Sequence, residues 1–367
     1  MPTRRALLSA TAGVLALGVG GTAVLASREG QRYSDYAAAL RAPLDGSGMA
    51  GFIRYACLAA NGHNTQPWLF SIKGNTIDIV PDVERRTPVV DPDDHHLYVS
   101  LGCALENLLL AIESRGLATT VNLLDQGAGG LSVVLEDNNA AIDPLDQALF
   151  AAIPFRQSTR SVYSGAAVST ERLATLGRAS RINGVSLSLL TDRSRINLVR
   201  DLVIEGNNRQ MDDPAFVREL LHWLRFSPSH AMAAGDGLYS ATTGNPSLPE
   251  WLGPLAFRLA FTKSGEADKY ARQMDSSAGV AVLAAEQADP AGWISVGRSC
   301  QRFCLAATAL GLKTAFVNQP LEVAELRPAL AETAGLRGLR PDVVLRFGYA
   351  DVLPFSPRRP VADVIRT

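Results

Sequence analysis

Cysteine is scarce in this chain, and its spacing carries no obvious chemistry. Four cysteines, Cys57, Cys103, Cys300 and Cys304, stand in 367 residues. They form no C-x-x-C pair and no metal-finger spacing, which argues against a zinc-finger framework or a thioredoxin-type dithiol. Each lies in an apolar helical context, so buried free thiols are expected. An excess of charge of one sign is also lacking. Thirty-five Lys and Arg against 36 Asp and Glu leave a formal net charge of −1. With no basic stripe, a nucleic-acid partner is not expected. No G-x-G-x-x-G opens a helix after a strand, so a Rossmann nucleotide domain is not indicated. G-x-S-x-G and H-E-x-x-H are absent too. What remains is a globular composition, 47% hydrophobic and 19% charged, long enough for one large domain or two ordinary ones.

The N-terminus reads apart from the fold. Thr3-Arg4-Arg5 precedes a Gly/Ala/Leu/Val run that ends in Val24-Leu25-Ala26. A charged start, an apolar middle and a small-residue exit describe an export signal. The adjacent arginines and the Gly- and Ala-rich run resemble a twin-arginine signal. Residues 1–26 are therefore expected to be that signal, which places the protein in the periplasm or cell envelope. An ordinary secretory signal and an uncleaved anchor stay open, because the run is about the length of a membrane span. Contact with a membrane is expected only through this segment, if it is retained.

Two distant segments align without gaps. Ser100-Leu101-Gly102 leads to Gly116-Leu117, and Ser295-Val296-Gly297 leads to Gly311-Leu312. The offset is constant: 297 − 102 = 195 and 311 − 116 = 195. Both segments are apolar helices closed by a glycine and followed by a strand-like run. Self-similarity at so long an offset points to duplication of a whole half.

Four segments carry candidate chemistry. Asn61-Gly62-His63-Asn64-Thr65-Gln66-Pro67-Trp68 follows an apolar helix and precedes a strand. Its amides offer donor and acceptor on one group, which suits the edge of a heterocycle, and the same residues also suit a capped helix followed by a turn. In Phe155-Arg156-Gln157-Ser158-Thr159-Arg160, alternation places Arg156, Ser158 and Arg160 on one face of an extended segment, where they can cradle an anion. A solvated surface segment is the competing reading. Ser356-Pro357-Arg358-Arg359 ends the last strand-like stretch with a basic turn. Asp91, Asp93, Asp94, His95 and His96 form a possible metal cluster. Adjacent residues point to different sides, so a polar turn before the helix at Ser100 is preferred and no metal is expected.

The first two segments resemble the signatures of the FMN-dependent nitroreductase superfamily, Asn-x-Gln-Pro-Trp and Arg-x-Ser-x-Arg/Lys-x-aromatic. Each signature occurs once, in a different half, which resembles the Acg-like branch, where the usual homodimer is fused into one chain. The resemblance implies an α+β, nitroreductase-like fold: two related halves in one chain, each a mixed sheet packed with helices. The halves would span 27–150 and 151–367, with a lid insertion near 212–256. One FMN would sit between them. Arg156 and Ser158 would meet its phosphate and ribityl chain, and Arg160 the N1/C2 carbonyl edge. Asn61 and Asn64, with His63 between them, would reach it from the other half, while Gln66 and Trp68 shape the loop. Asn318 and Gln319 would lie beside flavin N5. Arg358 would help hold the phosphate, with Arg359 in place of the lysine common where Ser356 stands.

The implied activity is an oxidoreductase that passes electrons through flavin N5 from a small-molecule donor to a nitroaromatic, quinone or similar acceptor. No catalytic side chain is named, because the cofactor carries the redox step. The alternative is a flavin-storage or flavin-sequestering protein with little turnover. The chain would be a monomeric pseudo-dimer or a homodimer.

Overall fold

A computed structural model describes residues 28–43, 48–124, 129–137 and 141–366. The expected signal over 1–26 lies outside these residues. Helix α1 covers 28–39. Helix α2 (Met49–Ala56) leads through the Asn61–Trp68 loop into a hairpin, β1 (Trp68–Lys73) and β2 (Thr76–Pro81). The hairpin turns at Gly74, whose φ of +61 suits glycine. Helix α3 (His95–Glu113), β3 (Leu117–Leu123), β4 (Leu131–Asp137) and α4 (Pro144–Ala152) complete the first half.

The second half repeats this order. Helix α5 (Thr170–Ala179) precedes β5 (Val185–Leu190). Five helices and two short strands then intervene: α6 (Arg193–Asp212), α7 (Pro214–Trp223), β6 (Leu224–Arg225), α8 (Pro228–Ala234), β7 (Leu238–Tyr239), α9 (Gly253–Ala260) and α10 (Lys263–Asp275). The pattern resumes with β8 (Gly279–Ala285), α11 (Pro290–Ala309), β9 (Lys313–Phe316), α12 (Gln319–Glu322), α13 (Arg327–Ala334) and β10 (Val343–Gly348).

The two sheets have the same strand order, β1-β2-β4-β3 and β5-β8-β10-β9. Within each sheet the named strands pair antiparallel. A parallel bridge at each sheet makes them mixed: Phe70 with Ile365, and Ser158 with Thr314. The first carries the C-terminal tail onto the edge of the first half's sheet, through Phe70 N–H to the Val364 carbonyl and Arg366 N–H to the Phe70 carbonyl, both 2.7 Å. The architecture is thus α+β in two related halves.

The repeated helices α3 and α11 cross at the centre. Their equivalent glycines touch: a Cβ on Gly102 would stand 2.9 Å from the Gly297 Cα, and 2.0 Å from the Ile294 carbonyl oxygen. Contact between residues 195 positions apart is what a pseudo-twofold axis through the crossing requires. Both helices end in a left-handed glycine, Gly116 and Gly311, each with φ +74. Around the crossing, Leu101, Leu105 and Leu108 of α3 share one apolar core with Val296, Phe303 and Leu305 of α11. The core therefore runs through both halves. A second core lies on the far side of the second sheet, where Ile196, Val199 and Val203 of α6 meet Val280 and Val282.

A cavity between the halves

The cavity of about 420 Å³ lies where the halves and the inserted helices meet. That volume is in the range of small-molecule sites, roughly 300–1,000 Å³. Asn61, Gly62, His63, His96 and Ser100 come from the first half; Arg160, Phe316, Asn318, Gln319 and Glu322 come from the second. Phe216, Leu220, Phe226, Phe257, Phe261 and Tyr270 of the insertion add an apolar roof. Five of the residues singled out in the sequence, Asn61, His63, Arg160, Asn318 and Gln319, are thus on one wall system. Asn64, Arg156, Ser158, Arg358 and Arg359 are not among the lining residues.

The Arg160 guanidinium faces this cavity and makes no ion pair or side-chain hydrogen bond among the described residues. Its backbone carbonyl is held by Gln273 Nε2 at 2.6 Å. Burial lowers its pKa, and the nearby Tyr270 and Tyr163 hydroxyls oppose that shift. Arg160 is half-buried, and an unpaired cation in so partly desolvated a place suits an electron-rich or anionic group at this point of the cavity. Gln319 donates from Nε2 to the Tyr270 hydroxyl at 2.6 Å, and its buried Oε1 has no partner. Asn318 caps β10 by accepting from Val344 N–H at 2.9 Å, and its amide lies 3.5 Å from His96 Nε2.

His63 sits in a left-handed backbone conformation, φ 46. Burial, then the Arg160 charge and His96, push its pKa down to about 4, so the ring is neutral near pH 7. His96 is lowered for the same first reason, then by His95. The Glu322 carboxyl is raised by burial, and accepts from Gln210 Nε2 at 2.6 Å.

The loop before Trp68 has a structural role that its composition only hinted at. Asn64 donates to the carbonyls of Gly237 and Pro357, and accepts from Arg358 Nη1 at 2.7 Å. Gln66 donates to the Gly235 carbonyl and accepts from Arg359 N–H, both at 2.9 Å. One loop thereby ties the insertion and the C-terminal segment to the first half. Arg359 pairs with Asp82 at 3.3 Å. Arg358 and Arg156 are both turned into the end of α2. Arg358 donates to the carbonyls of Cys57, Leu58 and Ala59, and Arg156 to that of Leu58 at 3.0 Å. Helix C-termini leave such carbonyls unpaired and partly negative, so cations belong there. Ser158 is placed by its backbone bridge to Thr314.

Residues 91–96 are each engaged. Asp91 caps α3 through His96 and Leu97 N–H, both 3.0 Å; Asp93 pairs with Arg340 and Asp94 with Arg86, while His95 Nε2 stands 3.0 Å from Asp342 Oδ1 with its ring kept neutral by burial. Ligand atoms of Asp91, His95 and His96 lie within 4.8 Å of one another.

Sequence reasoning missed two residues. Arg346, wholly buried, donates to the carbonyls of Thr159 and Ser161 and lies 4.0 Å over the Tyr163 ring, which positions the segment bearing Arg160. The signal was an arginine inside an apolar strand. Arg41 lies beside Arg156 and Arg358, and the three have no carboxylate partner among the described residues. No local signal marked Arg41.

No family model matches the chain. Its sequence is similar to nitroreductases, including the Acg protein. It is 28% identical over 318 residues to the Mycobacterium tuberculosis protein named "Putative NAD(P)H nitroreductase Rv3131", covering 84% of this chain and 88% of that one. It is 20% identical over 318 residues to "Putative NAD(P)H nitroreductase acg" of the same organism, covering 85% and 93%. Among solved structures, the FMN-dependent nitroreductase NfnB of Mycobacterium smegmatis in complex with NADPH matches 61% of this chain and 99% of its own at 16% identity, with a TM-score of 0.40. The NADPH:FMN oxidoreductase of Vibrio harveyi matches 60% and 77% at 14% identity, with a TM-score of 0.37.

Proposed function

We propose that the chain is an FMN-dependent oxidoreductase of nitroreductase type, with one flavin in the cavity between its halves. The observation that carries this reading is the Arg160 guanidinium, which faces the cavity without a partner, opposite His63 and Asn61 of the other half. The names of the sequence relatives agree with it. Bound flavin supplies two-electron chemistry at its ring. The chain's own residues do the rest. Arg160 offers a positive charge to the electron-rich edge of the ring, and neutral His63 does not compete with that charge. Gln319 Oε1 is free to accept a hydrogen bond. The apolar roof would shield part of the ring from water.

The second cluster lies outside the cavity lining and already donates to backbone carbonyls, so it would favour a phosphate on its side of the wall by charge. Behind the primary effect of burial, Arg156 lowers the pKa of Arg41, and Arg41 and Arg156 lower that of Arg358; Arg156 Nε is buried without a partner. A phosphate there would offset three positive charges, with Ser158 and Arg359 at its border and Asn64 fixing Arg358. Asn318 would present the first turn of α12 to the ring.

The halves are read as 27–150 and 151–367, with the insertion as a lid, and the chain as exported to the periplasm or cell envelope by a twin-arginine signal over 1–26. An exported protein does not meet the nicotinamide pool, so the donor is a different small reductant; a nitroaromatic, a quinone or a similar molecule accepts the electrons. The helices over the cavity also favour a second reading, storage of flavin with little turnover.

Flavin absorbance of the purified chain, before and after denaturation, tests the first reading. About one FMN released per chain is expected. Arg160→Leu should weaken flavin binding by about 10–100-fold, the loss of one charge-assisted hydrogen bond. A colourless chain that does not take up added FMN overturns the proposal. Rapid reduction by a soluble donor and reoxidation by a quinone separate turnover from storage.

A further inference from the structure

Helix α9 has two apolar faces. Gly253, Ala256, Phe257 and Ala260 line the cavity. On the outside, Trp251, Leu255 and Leu259 are 79%, 56% and 74% exposed. Spacing of four residues puts Leu255 and Leu259 on one stripe, with Trp251 at its foot. A surface helix ordinarily turns charged residues outward; one that is apolar on both sides needs a partner on both sides. Arg258 stands exposed on the same helix and has no ion-pair partner among the described residues. Tryptophan, leucines and an unpaired arginine on a short amphipathic segment are the composition of a helix that lies in a lipid headgroup layer.

The path of the chain says what covers this face. Helix α1 packs on the insertion, Tyr33 and Ala37 against Ala231 and Tyr239. Glu29, in its first turn, is close enough to act on the Tyr239 hydroxyl. That hydroxyl lies 2.7 Å from Ser247 Oγ, four residues before Trp251. The described chain begins at Arg28, so the Gly/Ala/Leu/Val run that ends near Ala26 leads into a helix that packs on the same insertion that carries the exposed stripe. A run that spans a bilayer, or is removed at one, would bring the insertion close to it, and the Trp251–Leu259 stripe is the exposed apolar part of that insertion.

We propose that the Trp251–Leu255–Leu259 face docks on a phospholipid bilayer, with α9 lying in the headgroup layer. An apolar electron acceptor of quinone class would then reach the cavity from the lipid phase by passing α9. The choice of a bilayer rests on reading the N-terminal run as an export signal or anchor; the nature of the acceptor rests also on the flavin function proposed above.

Trp68, Trp223 and Trp293 are buried, so Trp251 is the one exposed tryptophan of the four and reports on this face by fluorescence. The full chain is mixed with phosphatidylcholine–phosphatidylglycerol vesicles whose acyl chains carry bromine. The expected result is a blue shift and a quenched fraction of emission that is absent from Trp251→Phe. Leu255→Ser with Leu259→Ser, both at exposed sites, should reduce that quenched fraction by at least about tenfold in vesicle concentration while circular dichroism stays unchanged. If the chain binds vesicles but Trp251 stays unquenched by bromine and open to aqueous iodide, α9 faces away and the proposal is overturned. A blue shift that grows with protein concentration without vesicles assigns the face to a second copy of the chain, and also overturns it. The readout does not need flavin. Failure to bind FMN would therefore sink the function proposed above and leave the docking result standing.

Discussion

His63, Asn64 and Gln66 all adopt left-handed backbone conformations, with φ of 46, 56 and 54. Each costs a non-glycine residue on the order of 1–3 kcal/mol. The strain persists because the side chains of Asn64 and Gln66 hold segments near residues 236 and 358, and because it turns the His63 ring into the cavity. That ring yields a pH prediction. Its pKa is about 4 in the folded chain against 6.5 for an ordinary imidazole. Above pH 6.5 neither state carries the proton. As pH falls from 6.5 to about 4, only the unfolded chain takes it up, so stability declines across that window. His95 is lowered to about 4 in the same sense, again chiefly by burial. Urea unfolding at pH 7 and pH 5 should show the decline, and His63→Asn should remove part of it. An unchanged difference in that variant would mean that His63 is not neutral in the fold. Composition told that Asn, Gln and His stand together at a helix end. It did not separate their tasks, because an amide can bind a ring edge or a backbone carbonyl with the same atoms.

At the scale of elements, the α3–α11 crossing decides the arrangement. A Cβ on Gly297 would lie 2.1 Å from the Val99 carbonyl oxygen. The backbones are that close because both glycines are present. Gly297→Ala should destabilise the protein by at least about 1–3 kcal/mol, since the helices must separate and their shared core must repack. Thermal unfolding reads this as a lower midpoint, whereas Gly177→Ala, in open space on α5, should leave it nearly unchanged. The repeat was legible in the sequence, down to the glycines at constant offset. That these equivalent positions touch was not, because periodicity reports which face of a helix is apolar and not what it meets. The five inserted helices are a similar case. A lid insertion was expected near 212–256; the helices between β5 and β8 run from Arg193 to Asp275, so α6 and all of α10 lie beyond those bounds, and Phe216, Phe257 and Tyr270 line the cavity.

The whole molecule is held across the crossing by few polar ties. Glu106 of α3, nearly inaccessible, accepts from Arg298 and Arg302 of α11 at 2.7 Å each. Arg302 also reaches Asp146 of α4. Gln301 links Asn107 of α3 to the Ala60 N–H. Glu106→Leu would leave two guanidiniums facing an apolar group, and should cost about 3 kcal/mol. In urea, the unfolding midpoint should fall. A second transition would then show that the two halves can unfold apart. A midpoint equal to that of the parent chain would remove this ion pair from any account of how the halves are joined.

By itself the sequence determined what depends on neighbours in the chain: two apolar helices closed by glycines, strands that follow them, and a loop and a turn rich in amides and arginines. Those features follow from local periodicity and capping, which act within a few residues. Only the tertiary structure decided which arginine does what. Arg156 and Arg160 are four residues apart in one motif, yet Arg156 is turned to the carbonyls ending α2 while Arg160 is left facing the cavity without a partner. A guanidinium goes to whichever acceptor the fold brings near. Here those acceptors come from about a hundred residues earlier in the chain, or are absent among the described residues.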